Sequence, residues 1–139
     1  MKTLIFLAFL LPITGFAQTE TDYQKVMAKF QQFYNAGHGD SIYAMFKSSI
    51  QSASVGHPLW TKESNATALK QYGTLKSFNF LGIDNTDAAG VYVFQTFFSK
   101  AGAKTTSLTL DDNYRLGTFR FITKSEGIDA LLKKRKASR

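Results

Sequence analysis

The chain contains no cysteine among its 139 residues. This absence excludes disulfide bonds, thiolate metal sites and cysteine nucleophiles. It also excludes the attachment of lipid to a cysteine beside a signal-peptide cleavage site. The folded protein must therefore be stabilised by packing, for which the ten Phe residues after position 17 and six Tyr residues supply much of the apolar surface.

Histidine is almost as scarce, and the chain lacks the motifs of common hydrolases and metalloenzymes. The two histidines, His38 and His57, have no ligand-like spacing, and no H-E-x-x-H motif occurs. There is no G-x-S-x-G motif, and no serine is followed three residues later by lysine. We therefore expect no metal, no other cofactor and no catalytic serine. His38 lies between two glycines and is expected to be an exposed turn residue.

Long hydrophobic runs are also lacking. The longest, Leu4–Leu11, is far shorter than the roughly 20 residues that a membrane-spanning helix requires. Lys2 precedes this run, Pro12 follows it, and a small residue stands before a cleavage point at Ala17-Gln18. The pattern predicts a signal peptide over residues 1–17. We expect a secreted or periplasmic protein that is not lipidated.

The remaining sequence predicts a single domain over residues 18–124 and a basic tail over residues 125–139. The net charge of +7 is unevenly distributed, because the tail carries five basic and only two acidic residues. Such a tail is either a solubilising terminus or a weak, salt-sensitive contact with an anionic membrane or acidic envelope polymer. Nucleic acid is not an expected partner of an exported protein.

Apolar residues recur at helical spacing in the first half of the domain, which predicts three helices joined by polar connectors. The segment 48–56 is expected to be a weakly helical connector. Helices begin after residues that cap free backbone N–H groups and often end at glycine. The expected boundary residues are Thr21 or Asp22 and Gly37 for the first helix, Asp40 or Ser41 for the second, and Thr61 and Gly73 for the third.

After Gly73 the period of the apolar pattern changes from about 3.6 to two, which indicates strands. Helices followed by adjacent strands predict an α+β domain, with three N-terminal helices packed on a curved four-stranded antiparallel meander. The predicted strands are Leu75–Ile83, Val91–Lys100, Lys104–Asp111 and Arg115–Thr123.

The second strand carries apolar residues on both faces. Tyr92, Phe94 and Phe98 share one face, which is expected to form part of the floor beneath the helices. The opposite face, formed by Val91, Val93, Gln95 and Phe97, is also mostly apolar. Because a strand that is apolar on both sides is normally buried on both sides, we expect a homodimer that forms through the sheet.

Three local patterns resemble those of a known fold family. They are Phe33-Tyr34-Asn35, Ile42-Tyr43-Ala44-Met45-Phe46 and Tyr72-Gly73-Thr74-Leu75. In these patterns the chain resembles an uncharacterised family of bacterial exported domains with the nuclear-transport-factor-2-like, or cystatin-like, α+β fold. Such domains are often found ahead of serine-hydrolase domains. The resemblance covers residues 23–124 and implies a pocket between the helices and the sheet.

Isomerases and dehydratases of that fold place a carboxylate or histidine inside this pocket for proton transfer. Here the expected inward residues are aromatic, aliphatic or threonine, whereas Asp84, Asp87, Asp111 and Asp112 fall in turns and Asp40 at a helix cap. Aromatic residues at these spacings are more often core than pocket residues. The candidate pocket residues are Tyr34, Tyr43, Trp60, Tyr72, Tyr92, Phe94, Phe119 and Phe121.

We expect an exported, non-catalytic module that binds an apolar small molecule or an envelope protein. The alternatives are a small proton-transfer enzyme with an apolar substrate, and an envelope-associated protein held by its basic tail.

Overall fold

The computed structural model describes residues 21–53, 60–85 and 90–122 together with Lys133. The predicted signal peptide, His57, Asp87 and the rest of the basic tail lie outside the described residues. The described chain is an α+β structure with four helices followed by a four-stranded antiparallel sheet. The helices are α1 (Asp22–Ala36), α2 (Gly39–Tyr43), α3 (Ser48–Ala53) and α4 (Lys62–Tyr72). The strands are β1 (Leu75–Asp84), β2 (Val91–Phe98), β3 (Gly102–Leu110) and β4 (Leu116–Ile122).

The ends of α1 and the start of α4 follow the capping residues of the sequence. Thr21 precedes α1, and both its backbone N–H and its hydroxyl donate to Gln24 Oε1, at 3.0 and 2.9 Å. At α4 the Ser64 N–H donates to Thr61 Oγ1 at 3.0 Å, and the Thr61 N–H donates to Ser64 Oγ at 2.8 Å. Gly37 ends α1 with a φ of 74°, the left-handed conformation that favours glycine. These predicted boundaries are confirmed.

The predicted start of α2 is wrong. The helix begins at Gly39, with His38 exposed at the cap position, rather than after Asp40 or Ser41. Gly39 is buried against the chain that enters α4, and a Cβ atom at this position would clash with the Thr61 carbonyl oxygen. The close approach of the Gly39 and Thr61 backbones therefore determines where α2 begins. The pattern of capping residues in the sequence does not indicate this contact.

The prediction of three helices is also wrong, because α3 forms a fourth where a weakly helical connector was expected. The N–H groups of Ile50 and Gln51 both donate to the Lys47 carbonyl. The Gln51 side chain donates to the Phe46 carbonyl at 2.6 Å, and the Tyr43 hydroxyl donates to the Gln51 carbonyl at 3.0 Å. Contacts with α2 and its C-terminal extension thus hold this polar helix in place, whereas its intrinsic helix propensity is low.

The sheet is a meander of order β1-β2-β3-β4, as predicted. Residues paired directly across antiparallel strands project to the same face. The registers pair Phe80 with Phe94, Tyr92 with Leu108, and Leu108 with Phe119, so these side chains share the face that packs against α1. The predicted aromatic floor is confirmed, and the core lies between this floor and the fully buried α1 residues Met27, Phe30 and Tyr34.

The opposite face of β2 carries Val91, Val93, Gln95 and Phe97, as the sequence predicts. Val93 is only 1% exposed and its β3 partner Ser107 only 7% exposed, although Val93 does not belong to the main core cluster. The centre of this outer face is therefore covered within a single chain. Burial of Val93 does not require a second subunit, and the homodimer stays a prediction.

Candidate functional site

The predicted pocket residues divide into a buried pair and a partly buried set. Tyr34 and Phe94 have no exposed surface. Phe119 stacks on Phe30 with ring centroids 4.1 Å apart, and Trp60 meets the Phe30 ring edge-on at 5.6 Å. Aromatic rings thus fill the space between α1 and the sheet where the resemblance implies a pocket.

Four of the partly buried candidates lie together near β4. Trp60 contacts Phe119 at 6.1 Å between ring centroids, Phe119 contacts Phe121 at 5.6 Å, and Phe121 contacts Tyr72 at 5.4 Å. The other two partly buried candidates lie apart. Tyr92 packs against Tyr23, at 5.2 Å, and Tyr43 packs against Phe46, at 6.4 Å. The structure therefore does not gather the eight candidates into one site.

Tyr34 forms the polar centre of the core. Its hydroxyl donates to the Gly73 carbonyl at 2.9 Å, while its own carbonyl accepts from Asn65 Nδ2 at 3.0 Å. Asn65 is fully buried, and its Oδ1 accepts the indole N–H of Trp60 at 3.0 Å. Burial, together with Tyr72, raises the pKa of Tyr34 to about 12. These hydrogen bonds join α1 to α4 and give Tyr34 a structural role.

A concave surface of about 600 Å³ lies elsewhere, between α1 and the loop that joins β3 to β4. We call it the α1 groove. It contains none of the eight candidates. Its lining residues are Asp22, Lys25, Val26, Lys29 and Phe33 from α1, Ser41, Ala44 and Met45 from α2 and the following turn, and Asn113, Tyr114 and Arg115 from the β3–β4 loop.

The α1 groove has an apolar floor and a charged rim. Val26 is almost fully buried, and Phe33 and Met45 are partly buried, so each side chain presents a part of its surface to the groove. Val26 and Phe33 are seven residues apart and therefore lie on the same side of α1, about two turns apart. Three cations and one carboxylate surround this floor.

The β3–β4 loop is shaped by Asp111. Its Oδ1 atom accepts the N–H groups of Asn113 and Arg115, both at 2.9 Å, and its carbonyl accepts the N–H of Tyr114 at 2.9 Å. Tyr114 has a φ of 57°, the left-handed region in which a bulky side chain is unfavourable. Such strained residues cluster at functional sites, and the strain costs of order 1–3 kcal/mol. Tyr114 remains 45% exposed at the edge of the α1 groove.

Tyr114 also reaches α1. The negative charge of Asp22 is the largest cause of a raised Tyr114 pKa, and a hydrogen bond to the Asp22 side chain contributes to the same shift. The Tyr114 hydroxyl therefore lies close enough to this carboxylate to feel its charge. Asp22 also pairs with Lys25 at 3.5 Å, and both of these side chains are about half exposed.

The other wall is held by the backbone around residues 44–47. Arg115 Nη2 donates to the carbonyls of Ala44 at 3.1 Å and Phe46 at 3.3 Å. The Leu116 N–H donates to the Met45 carbonyl at 2.9 Å, and Phe46 and Leu116 form an isolated parallel β-bridge. The loop that carries Tyr114 is thus fixed to the segment that carries Met45, which gives the α1 groove a defined shape.

Within residues 21–53, 60–85 and 90–122, no group of three or more Asp, Glu or His side chains is arranged to hold a metal ion. No helix in this described part has the length and apolar character needed to cross a membrane. The chain matches no protein-family model, and neither a curated protein nor a solved structure shows significant similarity to it.

Proposed function

We propose that the protein is an exported, non-catalytic binding module of the nuclear-transport-factor-2-like fold, and that its ligand binds in the α1 groove. The observation that carries this proposal is the combination of an apolar floor, a charged rim and a volume of about 600 Å³. Small-molecule sites are typically concave and mostly apolar, with a few fixed polar groups, and they occupy about 300–1,000 Å³. The α1 groove has these properties.

The contents of the core favour binding over proton-transfer catalysis. The polar side chains buried among the described residues are Asn65, Thr96, Thr106 and Ser107, which are all neutral. Thr96 and Thr106 hydrogen-bond to each other at 2.9 Å. A general acid or base of the isomerase type would require a carboxylate or histidine in this environment, where burial adjusts its pKa.

Support for the fold family and for export comes from the sequence. Helices followed by a four-stranded meander agree with the nuclear-transport-factor-2-like resemblance over residues 23–124. The apolar run Leu4–Leu11, between Lys2 and Pro12, supports export through a signal peptide. Mass spectrometry of the exported protein tests this step, because we expect its N-terminus at Gln18. Retention of Met1 would contradict it.

We also propose that two copies associate through the outer face of the sheet. Val91, Gln95 and Phe97 are only partly buried there, and Val91 and Phe97 supply apolar surface for a second subunit. Sedimentation at high micromolar concentration should reveal a dimer, and Phe97→Lys should shift it to monomer. A wild-type protein that stays monomeric would contradict the dimer without affecting the proposed ligand site.

A neutral fluorescent probe tests the ligand site. We expect N-phenylnaphthylamine to bind the mature protein with one-to-one stoichiometry and enhanced emission. Phe33→Ala removes part of the groove floor and should weaken binding, whereas the matched control Phe97→Ala, on the outer face of the sheet, should not. Equal effects of the two variants, or no binding by the wild type, would contradict the proposed site.

A further inference from the structure

The charges around the α1 groove are unequally compensated. Among the described residues, Asp22 is the only carboxylate in the lining, and it already pairs with Lys25 at 3.5 Å and lies near the Tyr114 hydroxyl. Lys29 forms no ion pair with any residue that the structure describes. Among the described residues, Arg115 donates only to backbone carbonyls, which are neutral acceptors and do not compensate its positive charge.

Lys29 and Arg115 approach the groove from different elements. Lys29 projects from α1, between Val26 and Phe33 in the chain, and Arg115 projects from the β3–β4 loop. Guanidinium has five N–H donors, and the two hydrogen bonds that Arg115 makes within the described chain both come from Nη2. Its Nε and Nη1 donors therefore remain available for an anion.

We infer, on the basis of the proposed binding function, that the α1 groove binds an amphipathic molecule with one anionic headgroup, such as a medium-chain carboxylate. The headgroup is held by Lys29 and Arg115, and the apolar chain lies on Val26, Phe33 and Met45. A small hydrophilic anion would leave this floor exposed to water, and a neutral apolar molecule would gain nothing from the two cations. Only a ligand with both an anionic headgroup and an apolar chain would contact the two cations and also cover the apolar floor.

Tyr114 closes one side of this site. Its ring is partly exposed at the groove edge, and its hydroxyl is directed to Asp22. By engaging the single carboxylate of the lining, Tyr114 and Lys25 reduce the repulsion that an incoming anion would meet. The strained backbone at Tyr114 then has a functional reason, because glycine or asparagine would relieve the strain but would remove this aromatic wall.

Calorimetric titration of the mature protein with three probes of equal chain length tests this inference. The probes are decanoate and decyltrimethylammonium, each kept below its critical micelle concentration, and decanol, kept below its solubility limit. We expect decanoate to bind at one-to-one stoichiometry and about tenfold or more tighter than decanol, since two basic residues each contribute near the headgroup. We expect the cationic probe to bind most weakly, and added salt to weaken decanoate alone.

Two charge variants identify the headgroup contacts. Lys29→Gln should weaken decanoate binding by about fivefold and leave decanol binding unchanged. Lys104→Gln, which removes an exposed lysine of β3 outside the groove, should change neither. Arg115→Lys retains the positive charge and should retain part of the preference for decanoate. Because Lys29 is exposed and has no ion pair among the described residues, its replacement should not impair folding.

The possible failures are distinguishable. Equal affinities for decanoate and decanol would overturn the anionic headgroup while leaving the proposed binding function intact. Many decanoate molecules per chain, with no effect of Phe33→Ala, would indicate non-specific adsorption and would also overturn the inference. Failure of N-phenylnaphthylamine, decanol and decanoate alike would overturn the proposed function itself.

Discussion

The hydroxyl of Tyr114 lies near the carboxylate of Asp22, whose negative charge raises the Tyr114 pKa, so the β3–β4 loop approaches the first turn of α1. The two residues are about ninety positions apart in the sequence. Tyr114 has a φ of 57°, which is unfavourable for a tyrosine side chain. A loop selected only for stability would place glycine or asparagine there. The tyrosine side chain at position 114 therefore has a conformational cost. A role of this side chain in the proposed binding site explains its presence.

Replacing Tyr114 should separate stability from binding. Tyr114→Asn retains tolerance of the left-handed conformation but removes the ring. We expect the free energy of unfolding to stay unchanged or to rise by up to about 1 kcal/mol, while N-phenylnaphthylamine binds more weakly. Urea denaturation and probe titration measure the two effects. Loss of stability by more than about 1 kcal/mol would show that Tyr114 is held for structural reasons.

The pKa of Tyr34 predicts a specific dependence of stability on alkaline pH. Burial raises this pKa from 10.0 to about 12, so the folded protein retains a proton that the unfolded chain loses. The shifted pKa therefore adds its full contribution to the free energy of unfolding below pH 10. This contribution of about 2–3 kcal/mol is lost as the pH rises from 10 towards 12.

Tyr34→Phe provides the control for this pH dependence. The variant should be less stable at pH 7 by about 1–2 kcal/mol, because the Gly73 carbonyl loses its donor. Its stability should then fall less between pH 9 and 11 than that of the wild type, as measured by urea denaturation. An identical pH dependence in the two proteins would contradict the assignment to Tyr34.

Asn65 should be among the most sensitive polar positions. It is fully buried and joins the Trp60 indole to the Tyr34 carbonyl, so Asn65→Ala leaves the Trp60 N–H without its acceptor and removes one donor from the Tyr34 carbonyl, which keeps the Gly37 N–H. We expect a loss of about 2–4 kcal/mol in the free energy of unfolding. Asn79→Ala, on an exposed site of β1, should change it by less than about 0.5 kcal/mol. Similar losses in both variants would contradict this role.

Gly39 and Gly37 form a second matched pair. Gly39→Ala would force a Cβ atom into the Thr61 backbone, which must shift. Gly37→Ala meets no atom within 4 Å and carries only the strain of its φ of 74°, about 1–2 kcal/mol. We expect Gly39→Ala to lower the melting temperature more than Gly37→Ala does. The reverse order would contradict the close packing of α2 on α4.

Local patterns were sufficient to predict the strands and their faces. Each strand boundary lies within about two residues of its expected position, because period-two alternation depends only on which residues face the core. The end of α1 at Gly37 and the start of α4 after Thr61 were likewise evident from local capping chemistry. The start of α2 and the existence of α3 were not, since both depend on contacts between segments.

The α1 groove was beyond the reach of sequence patterns for a related reason. The helical spacing of Val26, Phe30, Phe33 and Tyr34 predicts a single apolar face of α1, although Val26 and Phe33 lie on a flank of that face. The width of the apolar face of α1 is therefore the sequence feature that indicated a second apolar surface beside the core. The partner surface depends on how the β3–β4 loop docks on residues 44–47, which no local periodicity records.

The most direct test of the α1 groove is a titration of the isotopically labelled mature protein with decanoate, followed by amide chemical shifts. We expect the largest changes to cluster at Val26, Phe33, Met45 and Tyr114, with saturation at one ligand per chain. Changes centred instead on Trp60, Tyr72, Phe119 and Phe121 would contradict the proposed site and would place the ligand between the helices and the sheet.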